Sequence, residues 1–364
     1  MTGVRRAVDA VITCLVCRVV YTSSGVSAGI DGAGVVIVTL GGFTHADAVA
    51  ETLELAQLAD RLGYTRYWVA EHHSTEGLAG SSPEVLVARI AGVTEEIKVG
   101  SGGVMLSHYS PLKVAETFRM LETLFPGRID LGIGRAPGTD RVTSAALRPD
   151  SDGWGAEQFP GQVADLIGFV SDRTAANHPF VSVRAVPSGT GIPPTWLLGS
   201  SDQSGALAAH FGCGFSFAHF INNHGGADVM RAYRTDFQPS PEMQQPQGIL
   251  AVFALCAETD EQAERLCTSR DLWRLRLDQG IMGSFPSVEE ATSYPYTAAE
   301  RARIKVNQQR QVVGSPDRVK ARLLELCQDY GVDELLVLTI CFDYEARCRS
   351  YELLANAFDL SGDL

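Results

Sequence analysis

Between residues 66 and 140 three apolar runs each end in a polar cluster, and helix-period segments separate them. Arg66-Tyr67-Trp68-Val69-Ala70 leads into Glu71-His72-His73. Lys98-Val99-Gly100-Ser101-Gly102-Gly103-Val104-Met105-Leu106 leads into Ser107-His108-Tyr109. Arg128-Ile129-Asp130-Leu131-Gly132-Ile133-Gly134 leads into Arg135-Ala136-Pro137-Gly138. Strand, polar loop and helix in repetition is the pattern of a parallel α/β fold. The expected architecture is a (β/α)8 TIM barrel with loop insertions at its C-terminal mouth, where polar strand ends converge.

The remaining periods extend the same alternation. Apolar strands are expected at 35–40, 66–70, 97–102, 129–134, 195–199, 214–218, 249–256 and 334–339. Helices are expected at 47–62, 83–93, 112–124, 161–171, 203–211, 225–236, from about 262, and at 297–311, 316–330 and 343–358. Ser315 reads as an N-cap with Pro316 in the first turn. The stretches 136–160, 173–194 and 280–296 read as irregular insertions, the last as a lid. At 364 residues this is the length of one barrel with insertions. The expected division is a poorly placed N-terminal extension over 1–33, with a loose likeness to an export signal, and a single barrel domain over 34–364.

Charge and composition narrow the class. Hydrophobic content of 45%, charged content of 20% and a net charge of −13 suit a globular protein and argue against nucleic-acid partners. None of the apolar runs reaches the roughly 18 residues that a membrane-spanning helix requires, so no membrane partner is expected. Eight scattered cysteines read as free thiols of a cytoplasmic protein, and the Cys14–Cys17 pair lacks the partners of a zinc site. His72 and His73 likewise lack convincing metal-binding partners, and no metal is expected.

Several candidates stand out on residue chemistry alone. Arg135 at a strand end can hold a phosphate through paired hydrogen bonds. Ser200, Ser201 and Ser204 follow Leu198-Gly199, where a helix N-terminus favours an anion; ordinary helix capping is the compatible alternative. Gly102 and Gly103 allow a flat ligand to approach the backbone closely. His108 and Tyr109 are candidates for a substrate wall.

Taken together, Tyr67-Trp68-Val69-Ala70-Glu71-His72-His73, Gly100-Ser101-Gly102-Gly103, Pro126 through Arg135, Leu198-Gly199-Ser200-Ser201 and Val312-Val313-Gly314-Ser315-Pro316 resemble the bacterial luciferase-like flavin-dependent monooxygenases over about residues 46–360. The resemblance implies a barrel that binds reduced FMN at its mouth, or in some branches the deazaflavin F420. It implies oxygenation of a small organic substrate by O2 through a flavin C4a-(hydro)peroxide. His72 would be the catalytic histidine, His73 its supporting neighbour, and Glu71 would sit beside the flavin or orient a histidine. Gly102 and Gly103 would lie beneath the ring across a cis peptide. Arg135, Gly199, Ser200, Ser201 and Ser204 would hold the phosphate end.

No nicotinamide-binding turn is evident, so FMNH2 would come from a separate flavin reductase. The family also implies a homodimer. Alternatives on the same fold are F420-dependent hydride transfer and a non-catalytic flavin-binding protein. Two departures from the pattern concern the mouth: Thr39-Leu40-Gly41-Gly42-Phe43 offers few polar groups, and Thr339 through Asp343 has no histidine.

Overall fold

The computed structural model describes residues 16–20, 29–30, 34–37 and 45–360, apart from 76–77, 137–138, 149–156, 190 and 282; of 16–20, 29–30 and 34–37 it describes the backbone. Its strands are β1 (Val16–Val20), β2 (Gly29–Ile30), β3 (Gly34–Ile37), β4 (Arg66–Val69), β5 (Lys98–Ser101), β6 (Val104–Met105), β7 (Ile129–Gly134), β8 (Thr195–Gly199), β9 (Gly214–Ala218), β10 (Gly248–Cys256), β11 (Gln311–Gly314) and β12 (Glu334–Leu338). The helices are α1 (His45–Arg61), α2 (Pro83–Ala91), α3 (Pro111–Leu124), α4 (Arg141–Leu147), α5 (Phe159–Val170), α6 (Asp202–Phe211), α7 (Gly226–Asp236), α8 (Asp260–Asp278), α9 (Val288–Ser293), α10 (Ala298–Gln308), α11 (Pro316–Tyr330) and α12 (Tyr344–Ala357).

A curled parallel sheet runs β3-β4-β5-β7-β8-β9-β10, and β12 pairs in parallel with both β10 and β3. The two faces of each strand explain its composition. On β10, Ile249, Ala251, Phe253 and Leu255 belong to an inner cluster with Trp68, Trp196, Leu336 and Leu338, while Leu250, Val252, Ala254 and Cys256 join the outer cluster beneath the helices. A strand buried on both faces must be apolar at every position, and β10 is.

Polar groups enter the inner space at its N-terminal floor. Arg66 donates to both Asp130 oxygens at 2.9 and 2.8 Å and to Glu334 at 2.7 Å, and Trp68 Nε1 donates to Asp130 at 2.9 Å. Burial works against the Arg66 charge, but the Asp130 and Glu334 carboxylates outweigh it and hold its pKa above the ordinary value. All four groups are thereby matched, as an enclosed ionic cluster requires.

The eight strand positions read from the sequence overlap β3, β4, β5, β7, β8, β9, β10 and β12, although residues 38–40 of the first lie outside the described residues. Other expectations need correction. The helix expected over 297–311 stops at Gln308, and Gln311–Gly314 is a strand pairing in parallel with Phe253–Cys256. Four residues are too few to show a period, and this strand exists because β10 offers it an edge. The irregular stretch 136–160 contains α4, which buries no side chain and is announced by its cap: Asp140 accepts from the amides of Val142 and Thr143. The stretch 280–296 contains α9, capped by Ser287. Ser315 makes no side-chain cap; its amide instead donates to Asp260 at 2.7 Å.

The extension expected over 1–33 lies largely outside the described residues; within it, Val16–Arg18 pairs antiparallel with Glu334–Leu336. Residues 39–43 and the side chains of Cys14 and Cys17 are also outside them. Cys213, Cys256, Cys267, Cys327 and Cys341 are buried free thiols.

Candidate active site

Glu71, Gly102, Arg135 and Ser200 follow the C-terminal ends of β4, β5, β7 and β8, four strands that are neighbours in that order. Parallel pairing therefore gathers residues from distant parts of the sequence along one rim. Among the described residues no group of three or more His, Cys, Asp or Glu side chains could hold a metal ion.

Glu71 is fully buried and its oxygens are committed. Oε2 accepts from the Met105 amide at 2.8 Å, and Oε1 accepts from the Tyr109 hydroxyl at 2.6 Å and from His73 Nε2 at 2.7 Å. This assigns the Nε2 proton of His73 as the donor to a carboxylate. Burial and then the Glu71 charge push the Tyr109 pKa far up, so it remains a phenol. Thr139 holds the His73 carbonyl at 3.0 Å, and the ring of His108 stands edge-on to that of His73 with centroids 6.0 Å apart. Glu71 therefore orients His73. Tyr109 and His108, candidates for a substrate wall, join the same polar cluster.

His72 is different. Its amide donates to the Gly80 carbonyl at 2.7 Å, but its buried Nε2 has no hydrogen-bond partner among the described residues. Burial, with His73 beside it, pushes its pKa down to about 3. The sequence suggests a histidine that titrates near neutral pH; burial makes it a neutral imidazole instead. Below about pH 6.5 the unfolded chain takes up a proton here that the folded chain refuses until about pH 3. Stability is thus lost as pH falls, at up to about 1.4 kcal/mol per pH unit within that window. Urea unfolding between pH 6.5 and 4.5 should show a shallower loss for His72→Gln than for the wild type. Equal acid slopes for the two proteins would contradict the buried neutral ring.

The Gly102–Gly103 peptide is cis. A Cβ on Gly103 would fall 2.8 Å from the Gly132 carbonyl oxygen, and one on Gly132 would fall 2.0 Å from that of Ser101. The backbones of β5 and β7 therefore meet directly beneath this turn. Ser101 Oγ donates to the Gly132 carbonyl at 2.7 Å and accepts from its amide at 3.1 Å.

Further along the rim, Arg135 donates to Gln203 in the first turn of α6 at 2.6 Å. Ser201 caps that helix: its Oγ accepts from the Ser204 amide at 3.4 Å and lies 3.1 Å from Ser204 Oγ. Gly199 leaves room for this arrangement, since a Cβ there would sit 2.2 Å from Ser204 Oγ. Asn222 fixes the Ser200 carbonyl at 3.2 Å. A guanidinium, a ten-residue helix's N-terminus and three serines thus converge, which is a chemistry suited to a phosphate.

The candidates from Glu71 to Ser204 are therefore gathered at one rim. Sequence reading missed the Met105 amide and Thr139 as supports of the histidines; nothing in their spacing singles them out. It also missed the role of Asp130, although an aspartate inside the apolar run Ile129–Gly134 is a visible sign. At the end of β12, Thr339 Oγ1 donates to the Ala254 carbonyl at 2.7 Å and Asp343 caps α12, so both serve the fold.

A family model for luciferase-like monooxygenases matches residues 30–334. The N-acetyl-S-alkylcysteine monooxygenase of Bacillus subtilis (strain 168) is 36% identical over 87% of this chain and 94% of its own. The crystal structure of apo-MsnO8 shares 40% identity and a TM-score of 0.83, covering 91% of this chain and 99% of that one. The FMN complex of the oxygenating constituent of 3,6-diketocamphane monooxygenase from Pseudomonas putida shares the fold at a TM-score of 0.64, with 19% identity over 88% of this chain and 96% of that one. The extent of the family match and the identity to these proteins show that the chain belongs to the luciferase-like monooxygenase family.

Proposed function

We propose that the protein is the oxygenase component of a two-component flavin monooxygenase, which takes FMNH2 from a separate reductase and uses O2 to oxygenate a small organic substrate. The observation that carries this reading is the buried, unpartnered Nε2 of His72 at the rim that also holds Gly102, Gly103, Arg135 and the N-terminus of α6. A buried polar atom without a partner is a costly arrangement in a native fold, and a ligand at the mouth would relieve it. Its frame would be a closed (β/α)8 barrel over 34–364, a reading supported by the pairing of β12 with both β10 and β3.

The residues fit FMN. Arg135, Ser200, Ser201 and Ser204 would hold the phosphate, with Gly199 giving them space, and Gly102–Gly103 would carry the ring. Reduced flavin supplies the electrons with which O2 is activated. In the tautomer protonated at Nδ1, His72 would offer a lone pair at Nε2 and so could accept a proton or a hydrogen bond there. Glu71 fixes His73 and Tyr109, and these position the wall beside His72. Phe285 and Val288, from the stretch proposed as a lid, pack on the inner cluster beside Trp273 and would keep water out. The free thiols and the need for a flavin reductase fit a cytoplasmic protein, and the family reading adds a homodimer.

Anaerobic titration with reduced FMN followed by rapid mixing with oxygen tests this. Tight binding and a long-lived absorbing species distinct from reduced and oxidised flavin are expected. Immediate reoxidation without such a species would favour flavin binding without oxygenation. Binding of F420 in place of FMN would favour hydride transfer. Arg135→Ala should weaken FMN binding about 10- to 100-fold, the loss of a charge-assisted hydrogen bond. Unchanged affinity by fluorescence quenching would remove Arg135 from the phosphate site.

A further inference from the structure

Helix α8 packs on the inner cluster beside the C-terminal half of β10. Its Ala263, Leu266, Cys267 and Trp273 pack with Phe253, Leu255 and Phe285 in the inner cluster. Arg270 lies on the same helix, is only 4% exposed, and places its guanidinium carbon 4.1 Å from the centroid of the Phe253 ring. Nε and Nη1 of this side chain are buried without a hydrogen-bond partner among the described residues. The adjacent carboxylate does not serve them: Asp271 accepts from Gln308 at 2.6 Å and from Gln311 at 2.7 Å.

Among the described residues, the other deeply buried arginines each face a carboxylate. Arg66 faces Asp130 and Glu334, Arg119 faces Asp172, and Arg347 faces Glu51. An aromatic face attracts a cation but supplies no acceptor for its N–H groups. A buried guanidinium with donors left over is a destabilising feature unless something anionic meets it. In strand order β10 lies two strands beyond β8, away from Arg135 and α6, so the phosphate end proposed above does not account for it.

We propose that Arg270 receives the charged end of the substrate, a singly charged organic acid whose apolar part lies against Trp273, Phe285 and Leu255. This rests on reading the mouth as the active site. Arg270 has two buried donors to offer an acid group, while Asp271, Arg274 and Arg310 also lie within electrostatic reach of it. Carboxylate and sulfonate share the required chemistry.

Calorimetric titration with octanoate, octanesulfonate and octanamide, on FMN-saturated and FMN-free protein, tests the assignment. One or both of the anions should bind at least about 10-fold more tightly than the amide, and Arg270→Met should remove that preference. The tighter anion identifies the acid class. The ligand-free Arg270→Met protein should melt at or above the wild-type temperature, since it loses two buried donors without a partner. Arg270→Lys should retain part of the preference for anions.

Equal binding of the amide, unchanged anion binding by Arg270→Met, or a variant that melts well below the wild type would overturn the proposal, the last because Arg270 would then be structural. If anion binding depends on Arg270 while FMN does not bind, the flavin reading falls and this one stands.

Discussion

His72→Ala is expected to lower oxygen-dependent product formation by about 10²- to 10⁴-fold, the usual contribution of a positioned proton-handling group. FMN affinity should be unchanged, because the phosphate end is assigned to Arg135 and α6. The effect should exceed that of replacing His73, whose Nε2 is committed to Glu71. His72 has an unmatched Nε2 and a pKa pushed down to about 3 by burial, so its ring is neutral across the physiological range. Loss of His72 should therefore also leave flavin reoxidation running without product, as hydrogen peroxide. Steady-state product assays with peroxide detection separate the two fluxes. Full coupling and normal turnover in the alanine variant would remove His72 from the chemistry.

Asp130→Ala should have the largest effect on stability, about 3–5 kcal/mol, as expected when one partner of a buried ion pair is removed. The side chain is wholly buried and accepts from Arg66 twice and from Trp68 once. Alanine would leave the Trp68 N–H unmatched and would leave Arg66 with Glu334 alone. Asp130→Asn keeps an acceptor and should cost less. Urea unfolding midpoints of the three proteins give the ranking. A loss below about 1 kcal/mol for alanine would mean that the floor relaxes or hydrates, and that this cluster is a weak determinant of the fold.

Both predictions depend on neighbours that are close only in the folded chain. The run Tyr67 to His73 shows three polar residues at a strand end, which is legible. It does not show that Glu71 takes donors from Met105, Tyr109 and His73 and so leaves His72 as the member of the triplet with an unmatched ring nitrogen. Arg135 and Ser201 were legible as phosphate chemistry from residue type and helix capping; their convergence required β7 and β8 to be neighbours. Arg270 was not legible. It sits in a charged helix, and only the packing of α8 against Phe253 buries it.

The alternation of strands and helices is written in the local order of residues, because apolar periods of two and near 3.6 follow from backbone geometry and burial. The same local order sets which polar residues end up at strand C-termini. Other features arise only once distant segments pair: the short strand Gln311–Gly314 against β10, the buried ionic floor joining Arg66, Asp130 and Glu334, and the burial that keeps His72 neutral. Desolvation and hydrogen-bond matching are properties of an environment, and that environment is assembled from segments far apart in the chain.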